Sequence, residues 1–285
     1  MLPPKILIIT AKHDKEFNMK LAIIGSGKMA TALALGIIRE KVLSKNDIVA
    51  SDISSDARKD FEDKTGIKCV ASSAEALKNA DLVLLAVKPQ STKELIPEIS
   101  KLCQGKLIIS IMAGIPLRSL FKWFGSKRAV RTMPNTPLMV GKGATAIACG
   151  DDVSASDKEL TESFFKASGI VYELPESSLD LVTALSGSGP AFAFEYVQAM
   201  VDAAEKLGMN KEVALELTVQ TLAGAAEMLK QRMGTPDELR NAVTSKGGTT
   251  AAGLAVLEKS NFRKLVHEVI QSAENRSKEL GKMSD

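Results

Sequence analysis

The run Lys20-Leu-Ala-Ile-Ile-Gly-Ser-Gly-Lys-Met-Ala-Thr-Ala-Leu-Ala-Leu-Gly36 constrains the fold more than any other stretch of the chain. Leu21 to Ile24 form a short apolar run of the kind that makes a strand buried on both faces. Gly25, Gly27 and Ala30 follow in G-x-G-x-x-A spacing, and Met29, Leu33 and Ile37 then recur at helical intervals. A strand, a glycine turn and a helix in this order aim the free N–H groups of the helix start at an anion. Gly25 allows the tight turn, Gly27 lets the backbone approach a pyrophosphate, and Ala30 lets the helix lie close to the strand. A phosphate-loop NTPase is excluded, because Met29 rather than Ser or Thr follows Lys28 and Ala22 stands where the first glycine belongs.

Downstream residues extend the pattern. Asp47 to Ser51 read as a second strand ending at Asp52, about 25 residues past Gly27, near where such folds place an acid on the adenosine ribose. A strand is expected near Lys68 to Ala71, with a helix opening at Ser72 or Ser73. Leu82 to Val87, closed by Lys88-Pro89, reads as a central strand, and Lys106 to Ile111 as another, ending at Met112-Ala113-Gly114. Strands alternating with helices imply a doubly wound parallel sheet with ligands beyond the carboxyl ends of its strands. Arg131 to Pro137 and Gly141 to Gly143 read as a Pro/Gly-rich crossing region, followed by late strands at Ala144 to Cys149 and Ile170 to Glu173.

From Ser178 the pattern turns helical. The division expected is an extension over 1–18, a dinucleotide-binding domain over 19–177 and a helical domain over 178–285, with Met19 as an alternative start. Leu179 to Leu207 is apolar almost all round, with a break at Ser186 to Pro190. Lys211 to Met233 continues the pattern, Thr235-Pro-Asp-Glu238 reads as a capping box with proline at N1, and Asn261 to Leu280 closes the chain, ending at Gly281. Helices this apolar in about 108 residues predict burial against a second copy, a compact monomeric bundle being the alternative.

Composition removes whole classes of function. The net charge is +3, with 37 basic residues scattered among 34 acidic ones and aromatics at 4%, which argues against a nucleic-acid partner. No apolar run approaches the roughly 20 residues of a membrane helix. Lys5 to Thr10 is too short and poorly flanked for a signal peptide. Cys69, Cys103 and Cys149 form no C-x-x-C pair and read as core residues of a cytoplasmic protein. With only His13 and His267, no histidine-based metal site or Ser-His-Asp triad is expected, and His267 reads as structural.

Val243-Thr-Ser-Lys-Gly-Gly-Thr-Thr250 is a glycine-rich hydroxyl loop that runs into a helix at Ala251 and offers N–H groups and hydroxyls to a small carboxylate. Taken together with Ile24 to Met29, Ala86 to Gln90, Arg131 to Pro137 and Leu185 to Ala191, in this order and spacing, it resembles the pyrroline-5-carboxylate reductases. The resemblance covers Met19 to about Leu280, and the hydroxyl loop is its specific part. It implies a Rossmann-type doubly wound parallel sheet followed by an all-α dimerisation domain. The activity implied is reduction of 1-pyrroline-5-carboxylate to L-proline by NADPH or NADH, in a homodimer or higher homo-oligomer.

By the same resemblance Gly25, Ser26, Gly27, Lys28, Met29 and Ala30 hold the pyrophosphate. Asp52 lies by the adenosine ribose, and Ser73 is a candidate contact near it. Ala86, Val87, Lys88, Pro89 and Ala113 line the nicotinamide half. Val243, Ser245, Gly247 and Gly248 receive the substrate carboxylate, and the Thr250 hydroxyl bonds the ring nitrogen as the catalytic group. Two residues depart from the family's pattern. Lys246 stands where proline is frequent, so it either adds charge near the carboxylate or faces water. Asp52 would repel a 2′-phosphate, although Ser51, Ser54, Ser55 and Arg58 could still hold one, so the cofactor preference stays open. A β-hydroxyacid or related imine dehydrogenase would want a catalytic lysine on an interdomain helix, whereas Lys206, Lys211 and Lys230 fall near helix ends or polar faces. A dinucleotide sensor would have no need of the second loop.

Overall fold

The computed structural model describes residues 19–282, so the extension over 1–18, with Lys5 to Thr10, lies outside the described residues. The first half alternates strand and helix: β1 (Leu21–Ile24), α1 (Lys28–Arg39), β2 (Ile48–Ser51), α2 (Ser55–Thr65), β3 (Cys69–Val70) and α3 (Ser73–Leu77). It continues with β4 (Leu82–Leu85), α4 (Thr92–Ile99), β5 (Leu107–Ser110), α5 (Leu117–Phe124) and β6 (Ala129–Met133). β7 (Gly143–Cys149), α6 (Ala155–Lys166) and β8 (Gly169–Glu173) complete a sheet of order β3-β2-β1-β4-β5-β6-β7-β8.

All neighbours pair in parallel except β6 and β7, which run antiparallel. The sheet is the expected doubly wound parallel one, with a single antiparallel pair. Arg131 to Met133, expected in a crossing segment, belong to β6 and pair with β7 from Val130 opposite Cys149 to Met133 opposite Ala146. Pro134 and Pro137 close that strand, which is where the Pro-rich signal came from.

Strand periodicity explains the two cores. In β1, Leu21 and Ile23 join the layer built around Leu33, Ile37, Phe61, Phe164 and Phe165 on one face. Ala22 and Ile24 join Val83, Leu85, Ile99, Leu120 and Phe124 on the other. A strand with both faces covered must be apolar at every position, and all four residues of β1 are buried. The helices are started by local chemistry: the Ser54 hydroxyl accepts from Ala57 N at α2, and Ser154 and Asp157 form a reciprocal capping box at α6.

The second half is helical: α7 (Leu179–Val182), a π-helical turn over Thr183–Gly187, α8 (Gly189–Lys206), α9 (Lys211–Lys230), α10 (Pro236–Ala242), α11 (Thr249–Lys259) and α12 (Phe262–Lys282). The capping box at α10 forms as expected, with Glu238 N donating to Thr235 Oγ1 at 3.2 Å and Thr235 N to Glu238 Oε2 at 2.7 Å. α12 runs through Gly281 instead of stopping there. His267 is exposed on α12, while Cys69 and Cys103 are buried and Cys149 is half-buried.

By compactness the described residues divide into 188–273 on one side and 19–187 with 274–282 on the other, so α7 and the end of α12 from Glu274 belong with the sheet. Arg131, in the middle of the sheet, pairs with Asp180 of α7 at 3.0 Å, and Asn135 Nδ2 donates to Ser186 O at 3.0 Å. These long-range bonds tie a helical sequence to a strand. No helix among the described residues is long and apolar enough to cross a membrane.

Candidate active site

The sheet order changes direction between β1 and β4, so the loops after these strands diverge and leave a crevice at their carboxyl ends. Gly25 lies at φ +97°, where L side chains are strained, and a Cβ there would meet Ala86 O at 2.8 Å. Its N–H donates to Ser51 O at 2.8 Å, locking the turn onto β2. Ala30 is buried against the strand. Gly27 is the N-cap of α1, has nothing within 4 Å of where its Cβ would stand, and supplies no capping side chain. The first turn of α1 contains no acidic residue, and the open space at Gly27 lets an anion approach its free N–H groups, a cradle that fits a pyrophosphate.

Asp52 is held in a way the sequence did not reveal. Its Oδ2 accepts from Ser26 N at 2.9 Å and Ser26 Oγ at 3.1 Å, and its Oδ1 from Ser54 N at 3.0 Å. The carboxylate therefore braces the glycine loop as well as ending β2. Ser73 lies in the same neighbourhood, its Oγ 3.5 Å from Ser51 Oγ. Arg58 Nη1 donates to Asp52 O at 2.9 Å and Ile53 O at 3.0 Å, so its guanidinium is fixed on the backbone of the β2–α2 turn. Burial pushes the Cys69 thiol up, opposed by its bond to Ser26. Ile53, at 95% exposure, is an apolar side chain standing in water beside Asp52. Sequence reading missed it; the signal was an isoleucine inside an otherwise polar Ser-Asp turn.

The loops after β4 and β5 form the other half of this end of the sheet. Ala86 N donates to Ile24 O at 2.8 Å and Ile111 N to Leu85 O at 3.1 Å, extending the ladders into the loops. Ala86, Val87 and Pro89 are half-buried and Lys88 is exposed; Ala113 is half-buried between Met112 and Gly114. Gly114 adopts φ +76°.

In the helical unit, the loop after α10 carries Val243, Ser245, Lys246, Gly247 and Gly248. Gly247 is left-handed at φ +73°, and Gly248 N donates to Ser245 O at 3.0 Å. α11 begins at Thr249, with Gly248 as an N-cap lacking a side chain, so the expected start at Ala251 is corrected. Thr250 accordingly sits in the first helical turn, half-buried, beside N–H groups that have no intrahelical acceptor. The earlier start follows from the open turn at Gly247: once the chain has reversed there, Thr249 can take helical geometry. Lys246 and Val243 are exposed.

Residues 176–280 match the family described as pyrroline-5-carboxylate reductase dimerisation, and residues 20–114 that described as NADP oxidoreductase, coenzyme F420-dependent. A pyrroline-5-carboxylate reductase of Pseudomonas aeruginosa is 42% identical over 92% of this chain and 96% of its own length. One of Arabidopsis thaliana is 38% identical over the same shares. Among solved structures, the Plasmodium falciparum pyrroline carboxylate reductase with NADP bound superposes with a TM-score of 0.85 at 32% identity, covering 94% of this chain and 100% of that one. The Coxiella burnetii enzyme gives 0.85 at 37% identity, covering 93% and 99%. A prephenate dehydrogenase at 14% identity shares the fold alone. Relatives at this identity match more than nine-tenths of both chains, and on that ground the chain belongs to the pyrroline-5-carboxylate reductase family.

Proposed function

We propose that the chain reduces the C=N bond of 1-pyrroline-5-carboxylate to give L-proline. The observation that carries the reading is the presence, in one chain of this family, of two helix starts whose N-cap is a glycine with no capping side chain, Gly27 at α1 and Gly248 at α11. One suits a pyrophosphate and the other a small carboxylate. A reduced nicotinamide, NADPH or NADH, supplies the hydride when bound.

The residues of the chain then have simple tasks. Gly25 to Ala30 bind the pyrophosphate, Asp52 and Ser73 flank the ribose, and Ile53 offers an apolar face to the adenine. Ala86, Val87, Lys88, Pro89 and Ala113 bound the nicotinamide half. Val243, Ser245, Gly247 and Gly248 hold the substrate carboxylate. The protonated ring nitrogen donates its hydrogen bond to the Thr250 hydroxyl. As the hydride adds to the imine carbon, the π pair moves onto nitrogen and the cation becomes a neutral amine, so no strong acid is needed. Fixing donor and acceptor carbons in near-attack geometry supplies up to about 7–11 kcal/mol in favourable cases.

The active species is a homo-oligomer, with a dimer through the helical unit as the specific assembly proposed. The free thiols of Cys69, Cys103 and Cys149 suit a reducing cytoplasm. The decisive experiment follows oxidation of NADH and NADPH in parallel by purified protein, with and without pyrroline-5-carboxylate. Loss of reduced-nicotinamide absorbance that depends on the substrate supports the reductase. Folded protein that binds dinucleotide but shows no such loss overturns it.

A further inference from the structure

The end of α12 touches the loop after β5 from two directions. Directly, Gly114 packs against the last turn: a Cβ on Gly114 would lie 3.2 Å from Leu280 Cβ and 3.5 Å from Gly281 N. In return, a Cβ on Gly281 would lie 2.9 Å from Gly114 O. Indirectly, the buried Ser277 hydroxyl donates to Asp180 Oδ1 at 2.8 Å, and the same oxygen accepts from Arg131 Nη2 at 3.0 Å. Arg131 Nη1 reaches Glu176 Oε1 at 3.3 Å, and that oxygen accepts from Leu117 N at 2.6 Å, where the loop ends and α5 begins. The loop from Met112 to Pro116 is thus held at its middle by Gly281 and at its end through Ser277, Asp180, Arg131 and Glu176.

We propose that Ser277 to Gly281 form a positioning strap that sets the Ala113 loop against the nicotinamide half of the cofactor. The inference rests on the reading of Ala113 as a nicotinamide-side residue. Packing alone would not require an ionic relay from a buried serine to the first N–H of α5, since apolar residues of similar volume fill such space at lower cost. Glycine at 281 has a reason of its own. Alanine is the better helix former, so Gly281→Ala supports α12 locally while driving a methyl toward the Gly114 carbonyl.

The test compares binding of the whole reduced dinucleotide with binding of ADP-ribose and its 2′-phosphate, which lack the nicotinamide, for the full chain and for Gly281→Ala, Ser277→Ala and Ser277→Thr. Gly281→Ala and Ser277→Ala are expected to weaken whole-dinucleotide binding about threefold to tenfold. Turnover should fall on the order of tenfold or more, because a small displacement of a positioned group is enough to do so. ADP-ribose affinity should hold in Gly281→Ala, and Ser277→Thr should keep the wild-type values. Amide exchange across residues 112–117 should quicken in both weakened variants. Equal losses for the dinucleotide and ADP-ribose would reduce the strap to general packing, and no change in either would remove it. A wild-type protein that binds both ligands but leaves pyrroline-5-carboxylate unreduced would sink the proposed activity while the binding comparison still tests the strap. No dinucleotide binding at all would sink both.

Discussion

At the scale of single residues, the chemistry proposed rests on groups that hold rather than react. Thr250 sits in the first turn of α11 with only a neutral hydroxyl to offer. Thr250→Ala is expected to lower turnover by about tenfold, the worth of one hydrogen bond to a charged partner, with the cofactor KM nearly unchanged. Steady-state kinetics with each substrate varied in turn would check this, and unchanged turnover at saturation would take Thr250 out of the mechanism. Asp52 carries two roles, since its Oδ2 binds the Ser26 N–H and hydroxyl and its charge stands at the end of β2. Asp52→Ser should therefore raise the KM for both cofactors by about tenfold through the loosened loop. It should also move the NADPH-to-NADH preference toward the phosphorylated form, as removal of a repulsive charge requires. A preference ratio that does not move would show that Asp52 serves the loop alone. The position of Asp52 could be read from its spacing after Gly27. Its partner could not, because nothing local in the sequence joins residue 52 to residue 26.

At the scale of elements, the placements that sequence reading found are those with a local cause. β1, α1, β4, β5 and the α10 capping box all follow from apolar runs, glycine punctuation or an N-cap signature. β6 was hidden because Arg131 interrupts its apolar run, and the reason a buried arginine is tolerated lies in Glu176 and Asp180, far along the chain. The start of β6 carries another ion pair with a measurable consequence. Arg128 Nε and Nη2 bond Asp157 Oδ2 and Oδ1 at 2.9 and 2.7 Å, joining β6 to the N-terminus of α6. Burial opposes the charge on Asp157, but the Arg128 guanidinium and the Ser154 N–H and hydroxyl overcome it and hold the carboxyl below its usual value. A depressed carboxyl adds stability that is fully present above the unfolded-state pKa of 3.8 and is lost as pH falls through the lower folded value. Asp157→Asn should cost about 1–3 kcal/mol at neutral pH, and the gap from wild type should close below about pH 4. Thermal melts across that range would show it, and a gap independent of pH would assign the loss to packing.

At the scale of the whole molecule, the helical unit leaves large apolar side chains uncovered: Phe194 is 70% exposed on α8 and Leu217 55% exposed on α9. Surface of this kind on helices marks an interaction face, and residues 176–280 match the dimerisation family. Phe194→Asp is expected to shift the protein to smaller species in sedimentation, with the dinucleotide affinity of the sheet unit retained; an unchanged assembly would place the contact elsewhere. The sequence by itself determined the α/β-then-α order of the chain, the glycine loop, the hydroxyl loop and the family. Each of these is written in residue type at short spacing, where backbone sterics and periodicity act. Only the tertiary structure decided that Asp52 braces Ser26, that Arg131 sits inside a strand, that β7 turns antiparallel, and that the end of α12 lies on Gly114. Those outcomes depend on which distant groups can pair once the cores close, and no spacing within the chain encodes them.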